Sequence, residues 1–369
     1  MTASSHQPGG KIPATIVTGF LGAGKTTLIR NLLRNSGGRR IALIVNEFGD
    51  MGFDGSLVNG CADPDCAADE VVELTNGCIC CTVADDFLPT MEMLLARETP
   101  PDHIVIETSG LALPQPLVRA FSWPSVKTRV TVDGVVTVLD AAALAEGRIA
   151  LDEEALAAQR AADEALDHES PVEELFHDQL RCADLVVLNK ADLVAEDVLS
   201  GVRHRIAGDV RPAVHIVSSE KGSLPIEVLL GRGSAAEDDM AARHEHHHHH
   251  DDDDHEHEDH DDDHDHHHHD HHHHDDFESH VLNVPAFASL KAAEDRVLQA
   301  MAARGVLRIK GAVRIDGKPA PAMVQAVGPR VETWFASGAD SAGRLVVIGL
   351  KGLDLGAVRT LLCGLTEAA

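Results

Sequence analysis

Apolar runs of four to six residues recur from Ile12 to about Leu230, with stretches of helical period between most of them. The runs Ala14–Thr18, Ile41–Asn46, His103–Glu107, Gly134–Leu139, Leu185–Leu188 and Val214–Val217 predict strands. Several are continuously apolar rather than alternating, the signature of parallel strands covered on both faces. Lys25–Arg34, Ala84–Ala96, Val172–Arg181 and Ala195–Ile206 predict the intervening helices. This alternation predicts an α/β fold: a doubly wound, mostly parallel sheet that binds ligands at the carboxyl ends of its strands. After a polar tract the pattern changes. Strands are predicted at Glu278–Val284, Leu307–Ile315, Met323–Ala326 and Leu345–Gly349, and helices at Ala288–Ala303 and Leu355–Leu362. These describe a small α+β domain with a helix-backed antiparallel sheet. The expected organisation is a flexible N-terminus (1–11), a main domain (12–235), a disordered linker (236–276) and the small domain (277–369).

With 369 residues, 44% of them hydrophobic, the chain has room for both cores. The net charge of −29 misleads, because His244 to His280 holds 16 acidic residues and no Lys or Arg, leaving −13 elsewhere. Nothing basic enough for nucleic acid or a membrane surface remains, and no apolar run approaches a bilayer span. Met1 to Lys11 is polar, without a signal core. Seven cysteines, three of them within four residues, suit a reducing compartment and metal binding better than a disulfide framework. The cytoplasm is the expected location. The His/Asp tract cannot bury enough apolar surface to fold alone. Its 19 imidazoles fit weak, fast-exchanging metal buffering, and its acidity fits a merely solvating spacer.

Gly19 to Thr26 reads G-F-L-G-A-G-K-T, directly after the apolar Ile16-Val17. This is the phosphate-loop pattern G-x-x-x-x-G-K-[ST]: backbone amides cradle phosphates, and the next helix points its positive N-terminus at them. Gly19, Gly22, Ala23, Gly24 and Thr27 form the cradle, Lys25 pairs with the β/γ-phosphates and the Thr26 hydroxyl ligates Mg²⁺. Asn189-Lys190-Ala191-Asp192 follows the strand Leu185–Leu188 and reads N-K-x-D. A buried carboxylate at Asp192 would accept two hydrogen bonds from guanine that adenine lacks, which selects GTP. Ser218 closes a strand and is a further candidate contact to the base.

Cys78, Cys80 and Cys81 form a C-x-C-C cluster after Asn76-Gly77. Three thiolates converging on one cation suit Zn²⁺, Cu⁺ or Co²⁺ and leave a fourth position open for transfer. Cys61 and Cys66 are equally well read as extra ligands or incidental loop thiols. Cys182 and Cys363 lie in apolar helical contexts and read as packing residues. Ile104-Val105-Ile106-Glu107 is a strand ending in a carboxylate that would reach Mg²⁺, with Gly110 placed to sense the γ-phosphate. Glu47, in Asn46-Glu47-Phe48-Gly49-Asp50, is favoured over Asp50 as a second carboxylate near Mg²⁺.

Together, Thr18–Thr27, Asn46–Asp50, Val71–Val83, Asp102–Pro116 and Asn189–Asp192 resemble the CobW family of phosphate-loop metallochaperone GTPases. The likeness extends to the C-terminal segment. It implies GTP hydrolysis coupled to Co²⁺ handling for the corrin ring, with delivery to a cobaltochelatase or another metal-accepting protein. It also implies that Cys78, Cys80 and Cys81 hold the transported metal, that Gly22–Thr27 form the phosphate loop, and that Glu107 and Gly110 serve Mg²⁺ and the γ-phosphate. Zinc is the alternative cargo, since similar proteins with the same cysteines handle it. The expected mechanism is a switch in which GTP–Mg²⁺ assembles the thiolate site and hydrolysis releases the ion. A buffering protein without turnover, and a regulatory G-protein that uses nucleotide to dock partners with its thiols structural, are the rivals of other classes.

Overall fold

The computed structural model describes residues 10–45, 71–73, 87–162, 171–212, 214–231, 236–238, 240–243, 277–328, 330–335 and 342–364. Seven strands form one sheet: β1 (Ile12–Thr18), β2 (Ile41–Val45), β3 (Val71–Glu73), β4 (His103–Glu107), β5 (Val130–Asp140), β6 (Leu185–Asn189) and β7 (His215–Ser219). Their spatial order is β3-β2-β4-β1-β5-β6-β7, and every pairing is parallel. The chain runs outward from β1 in one direction through β2 and β3, and from β5 in the other through β6 and β7. Such a reversal leaves a crevice at the carboxyl ends of the central strands.

Helices α1 (Lys25–Arg34), α2 (Leu88–Leu95), α3 (Pro114–Ala120), α4 (Pro124–Lys127), α5 (Ala141–Ala145), α6 (Glu153–Ala162), α7 (Val172–Cys182), α8 (Glu196–Ala207) and α9 (Ile226–Leu229) connect the strands. Ala14 and Ile16 of β1 pack on one face with Phe87, Met91, Leu117 and Phe121. Val17 packs on the other with Leu28, Ile29 and Leu32 of α1. Both faces are therefore buried, which is why the runs are continuous rather than alternating.

Boundaries differ from expectation where tertiary contacts override the local pattern. Strand β5 begins at Val130 rather than Gly134 because buried Asp133 is satisfied by Thr15 Oγ1 and the Gly231 amide. Strand β3 and helices α3, α4, α5, α6 and α9 had no counterpart in the pattern. The packed part also runs beyond 235, into what reads as linker. Glu237 accepts from Thr131 Oγ1 (2.6 Å) and the Val132 amide (2.9 Å). Arg243 is buried and donates to Asp184 Oδ1 (2.6 Å) and Oδ2 (3.1 Å). Burial by itself would raise the Asp184 carboxyl, but Arg243 and Arg211 hold it below its ordinary range. Residues 244–276, the rest of the expected linker, lie outside the described residues.

The second sheet is antiparallel, in order β11-β10-β9-β12-β8: β8 (Phe277–Asn283), β9 (Val306–Val313), β10 (Ala322–Val327), β11 (Arg330–Phe335) and β12 (Arg344–Leu350). Helices α10 (Leu290–Met301) and α11 (Leu355–Cys363) back it, with Ala293, Val297, Val358 and Leu362 in its core. Leu307 and Ile348 on its other face join the core beneath α1. Arg308, on the same face, donates to the carbonyls of Glu227 (3.1 Å) and Leu230 (2.7 Å). Among the described residues, no helix is long and apolar enough to cross a membrane.

Candidate functional site

The segment from β1 to α1 turns at Gly19 (φ 134°), Gly22 (φ 78°) and Gly24 (φ 99°). Two of these glycines are required by close approach as well as by backbone angle. A methyl group at Gly19 would meet the Val138 carbonyl oxygen at 2.0 Å, and one at Gly24 would meet Asn189 Nδ2 at 2.2 Å. The loop is thus pressed against both the strand beside it and the last residue of β6. Lys25 turns its ammonium into the curve, donating to the carbonyls of Gly19 (2.6 Å) and Phe20 (3.3 Å). Ala23 is buried, and Thr27 follows in the first turn of α1.

Thr26 Oγ1 donates to Glu107 Oε1 at 2.9 Å. The sequence places these two oxygens 81 positions apart, and the β1–β4 pairing brings them together, with Val17 opposite Glu107. A hydroxyl and a carboxylate side by side at the start of α1 are hard oxygen donors, and they fit Mg²⁺ beside bound phosphates. Gly110 lies against the same loop, since a methyl there would meet the Leu21 amide nitrogen at 2.9 Å.

Asn189 joins the expected base-recognition loop to the phosphate loop. Its Nδ2 donates to the Ala23 carbonyl (2.9 Å), and its Oδ1 accepts from the Gly222 amide (2.8 Å). Lys190 adopts φ 61° and donates to Asp140 Oδ2 at 2.6 Å. Asp140 in turn caps α5 through the amides of Ala142 (3.0 Å) and Ala143 (3.2 Å). Asp192 is exposed on a short 3-10 turn, Ala191–Leu193, not buried as the hydrogen-bonding argument assumed. Ser218 is buried, and its hydroxyl accepts from Arg203.

Two residues of this site had no sequence-level reading. Asp140 carried one usable signal, a strand ending in Asp before three alanines, which is an N-cap pattern. Gln179 is fully buried on the apolar face of α7, with Nε2 donating to the carbonyls of Gly110 (3.0 Å) and Ala112 (3.1 Å). A glutamine between Leu175, Phe176 and Leu180 was the available hint.

Cys78, Cys80, Cys81, Glu47, Asp50, Cys61 and Cys66 lie outside the described residues. Among the described residues no cluster of three His, Cys, Asp or Glu is disposed to hold a metal ion. Cys182 is fully buried, and burial pushes its thiol up to about 12, as befits a packing residue rather than a thiolate ligand. Cys363 is half-buried, with its Sγ donating to the Asn283 carbonyl at 3.4 Å.

A parallel sheet with this loop, hydroxyl–carboxylate pair and cross-linked N-K-x-D turn defines a P-loop nucleotide-binding protein of the GTPase kind. Residues 13–218 match the CobW/HypB/UreG nucleotide-binding domain, and residues 277–365 match the cobalamin synthesis protein cobW C-terminal domain. The chain belongs to the CobW family of P-loop GTPases. It is 48% identical over 368 residues to the zinc chaperone CobW of a Sinorhizobium species, spanning 99% of both chains. It is 48% identical over 360 residues to the zinc chaperone CobW of Pseudomonas aeruginosa, spanning 94% of this chain and 90% of that one. Similarity to the zinc-regulated GTPase metalloprotein activator 1 of Schizosaccharomyces pombe is 38% over 198 residues, 53% of this chain and 43% of that one.

Proposed function

We propose that this chain is a GTP-hydrolysing metallochaperone that carries Zn²⁺ on the thiolates of Cys78, Cys80 and Cys81 and releases it to an acceptor protein after hydrolysis. Lys25 and the phosphate-loop amides bind the phosphates, Thr26 and Glu107 hold Mg²⁺ with Glu47, and Gly110 registers the γ-phosphate. Asn189, Lys190, Asp192 and Ser218 receive the guanine. Mg²⁺, when bound, neutralises charge on the phosphate oxygens. The protein works in the cytoplasm.

One observation carries the link between nucleotide and metal. Val45 of β2 is in register with Glu107 on one side and with Glu73 on the other, so the carboxyl ends of β4, β2 and β3 stand abreast. Strands lie about 5 Å apart, which puts the exit of β3 about 10 Å from Glu107. Cys78 follows Glu73 by five positions, and Asn46-Glu47 leaves from the strand between them. A loop fastened by Mg²⁺ and the γ-phosphate therefore has a short path to the thiols.

Zinc is preferred over the cobalt that the resemblance suggested. The similar chains of Sinorhizobium and P. aeruginosa are named zinc chaperones, and thiolate affinity generally rises from Co²⁺ towards Zn²⁺. Purified full-length protein titrated with Zn²⁺, and separately with Co²⁺, in the presence of Mg²⁺ with a non-hydrolysable GTP analogue or GDP tests the proposal. Tighter Zn²⁺ binding in the triphosphate state, lost on Cys78→Ser, is expected. Equal affinity in both nucleotide states would refute the switch. Nucleotide-dependent binding of Co²⁺ alone would restore the cobalt reading.

A further inference from the structure

Helix α6 brings a glutamine to the phosphate loop. The helix starts beyond Asp152, which accepts from the Ala155 amide at 2.8 Å. It is fixed to the domain by Leu156, which packs in one cluster with Phe20 of the phosphate loop and Leu111. One turn further on, Gln159 turns its side chain inward. A methyl group placed on Gly110 would meet Gln159 Oε1 at 3.4 Å, the Leu21 amide nitrogen at 2.9 Å and the Phe20 carbonyl carbon at 3.3 Å. The carboxamide therefore stands where the phosphate loop meets the Glu107–Gly110 segment, the two elements that flank a γ-phosphate.

Gln159 Oε1 is buried and accepts no hydrogen bond. Leaving such an acceptor unmatched is unfavourable, so its presence calls for an explanation. A buried acceptor aimed at this junction is suited to a water molecule in line with the γ-phosphate. We infer that Gln159 positions the water that attacks GTP. Its Oε1 accepts a hydrogen bond from that water and stores no proton. The water oxygen bonds to the γ-phosphorus as the bond from phosphorus to the β,γ-bridging oxygen breaks. GDP leaves, and the water's proton ends on the released inorganic phosphate. Orienting the nucleophile is a recurrent part of phosphoryl transfer to water. Gln179 is fixed to the Gly110 and Ala112 carbonyls of the same segment.

This inference rests on GTP hydrolysis as the activity. The test uses full-length wild type, Gln159→Met and Gln159→Glu, with single-turnover hydrolysis and the Kd for a fluorescent GTP analogue measured on each. Methionine keeps the length and helix preference but removes the acceptor. Gln159→Met is expected to lower the hydrolysis rate at least tenfold while Kd changes less than threefold. Gln159→Glu, which keeps an accepting oxygen, is expected to retain more of the rate. A rate within twofold of wild type in Gln159→Met would overturn the inference, as would equal losses of rate and affinity in both variants. If Gln159→Met fails to fold, Gln159→Ala replaces it under the same criteria. Absence of hydrolysis in wild type would instead remove the proposed activity, and this inference with it.

Discussion

Asn189→Ala cuts a side chain that bonds both to the phosphate loop and to the loop after β7. Asn189 is 2% exposed, and its two hydrogen bonds, to the Ala23 carbonyl and from the Gly222 amide, are both buried. Alanine removes both bonds and leaves a buried carbonyl and a buried amide unmatched. At about 1–2 kcal/mol for each orphaned group, the expected loss is about 2–4 kcal/mol of unfolding free energy. Asn31→Ala is the internal control. Asn31 Nδ2 donates to the Lys221 carbonyl at 2.9 Å on the same loop, but at the solvent surface. Water replaces that bond, so the loss is expected to stay below about 1 kcal/mol. Urea unfolding followed by circular dichroism reads both, with unchanged m-values securing the comparison. The bridge does not reach towards Glu107 or Gly110, so Asn189→Ala should weaken GTP and GDP binding by the same factor. Equal stability losses in the two variants, or a selective loss of GTP binding, would refute this reasoning.

Two further perturbations probe the side of the sheet away from the phosphate loop. Burial lowers the His103 pKa to about 4, against the pull of Asp133, so the folded protein holds His103 neutral with Nε2 2.8 Å from Thr15 Oγ1. The unfolded chain binds that proton near pH 6.5, so stability is full above 6.5 and falls as pH drops from there to about 4, by up to roughly 3 kcal/mol. The stability advantage of wild type over His103→Gln should shrink across that window in urea titrations at several pH values, and a constant difference would contradict it. Arg243→Ala leaves the Asp184 carboxylate buried, still beside Arg211 at 2.9 Å. A loss of about 3 kcal/mol is expected in thermal unfolding, largely recovered by Arg243→Met with Asp184→Asn, because uncompensated charge is the main cost.

The parts of the fold that depend on local pattern were legible in the sequence. G-F-L-G-A-G-K-T and N-K-A-D announce themselves because loop geometry restricts residue type, and both fall at strand ends, β1 and β6. What failed was anything decided by a distant partner. Strand β11 was missed because Arg330–Phe335 mixes Arg, Glu and Thr with apolar residues on a half-buried edge. Asp133 masked the start of β5, since nothing nearby in sequence reveals that Thr15 and Gly231 satisfy it. Arg243 fell within the expected linker, and only the fold brings Asp184 to it. Gln159 and Gln179 are ordinary helix formers until the sheet sets them beside Gly110.

In the proposed switch, a zinc cargo decides which half of the transport cycle is difficult. A thiolate trio captures Zn²⁺ readily, so capture needs little help and release needs much. Moving a site from nearly full to nearly empty takes about a 10⁴-fold change in affinity, or about 5.5 kcal/mol. If the nucleotide supplies that difference, linkage requires Zn²⁺ to tighten triphosphate over diphosphate binding by the same factor. The reciprocal effect has to pass through the carboxyl ends of β4, β2 and β3, where Glu107, Val45 and Glu73 stand in register. Hence, in the proposed switch, loading with zinc should raise the preference for GTP over GDP by that same factor above the preference of the metal-free protein. A preference for GTP over GDP that zinc leaves unchanged would refute coupling between the two sites.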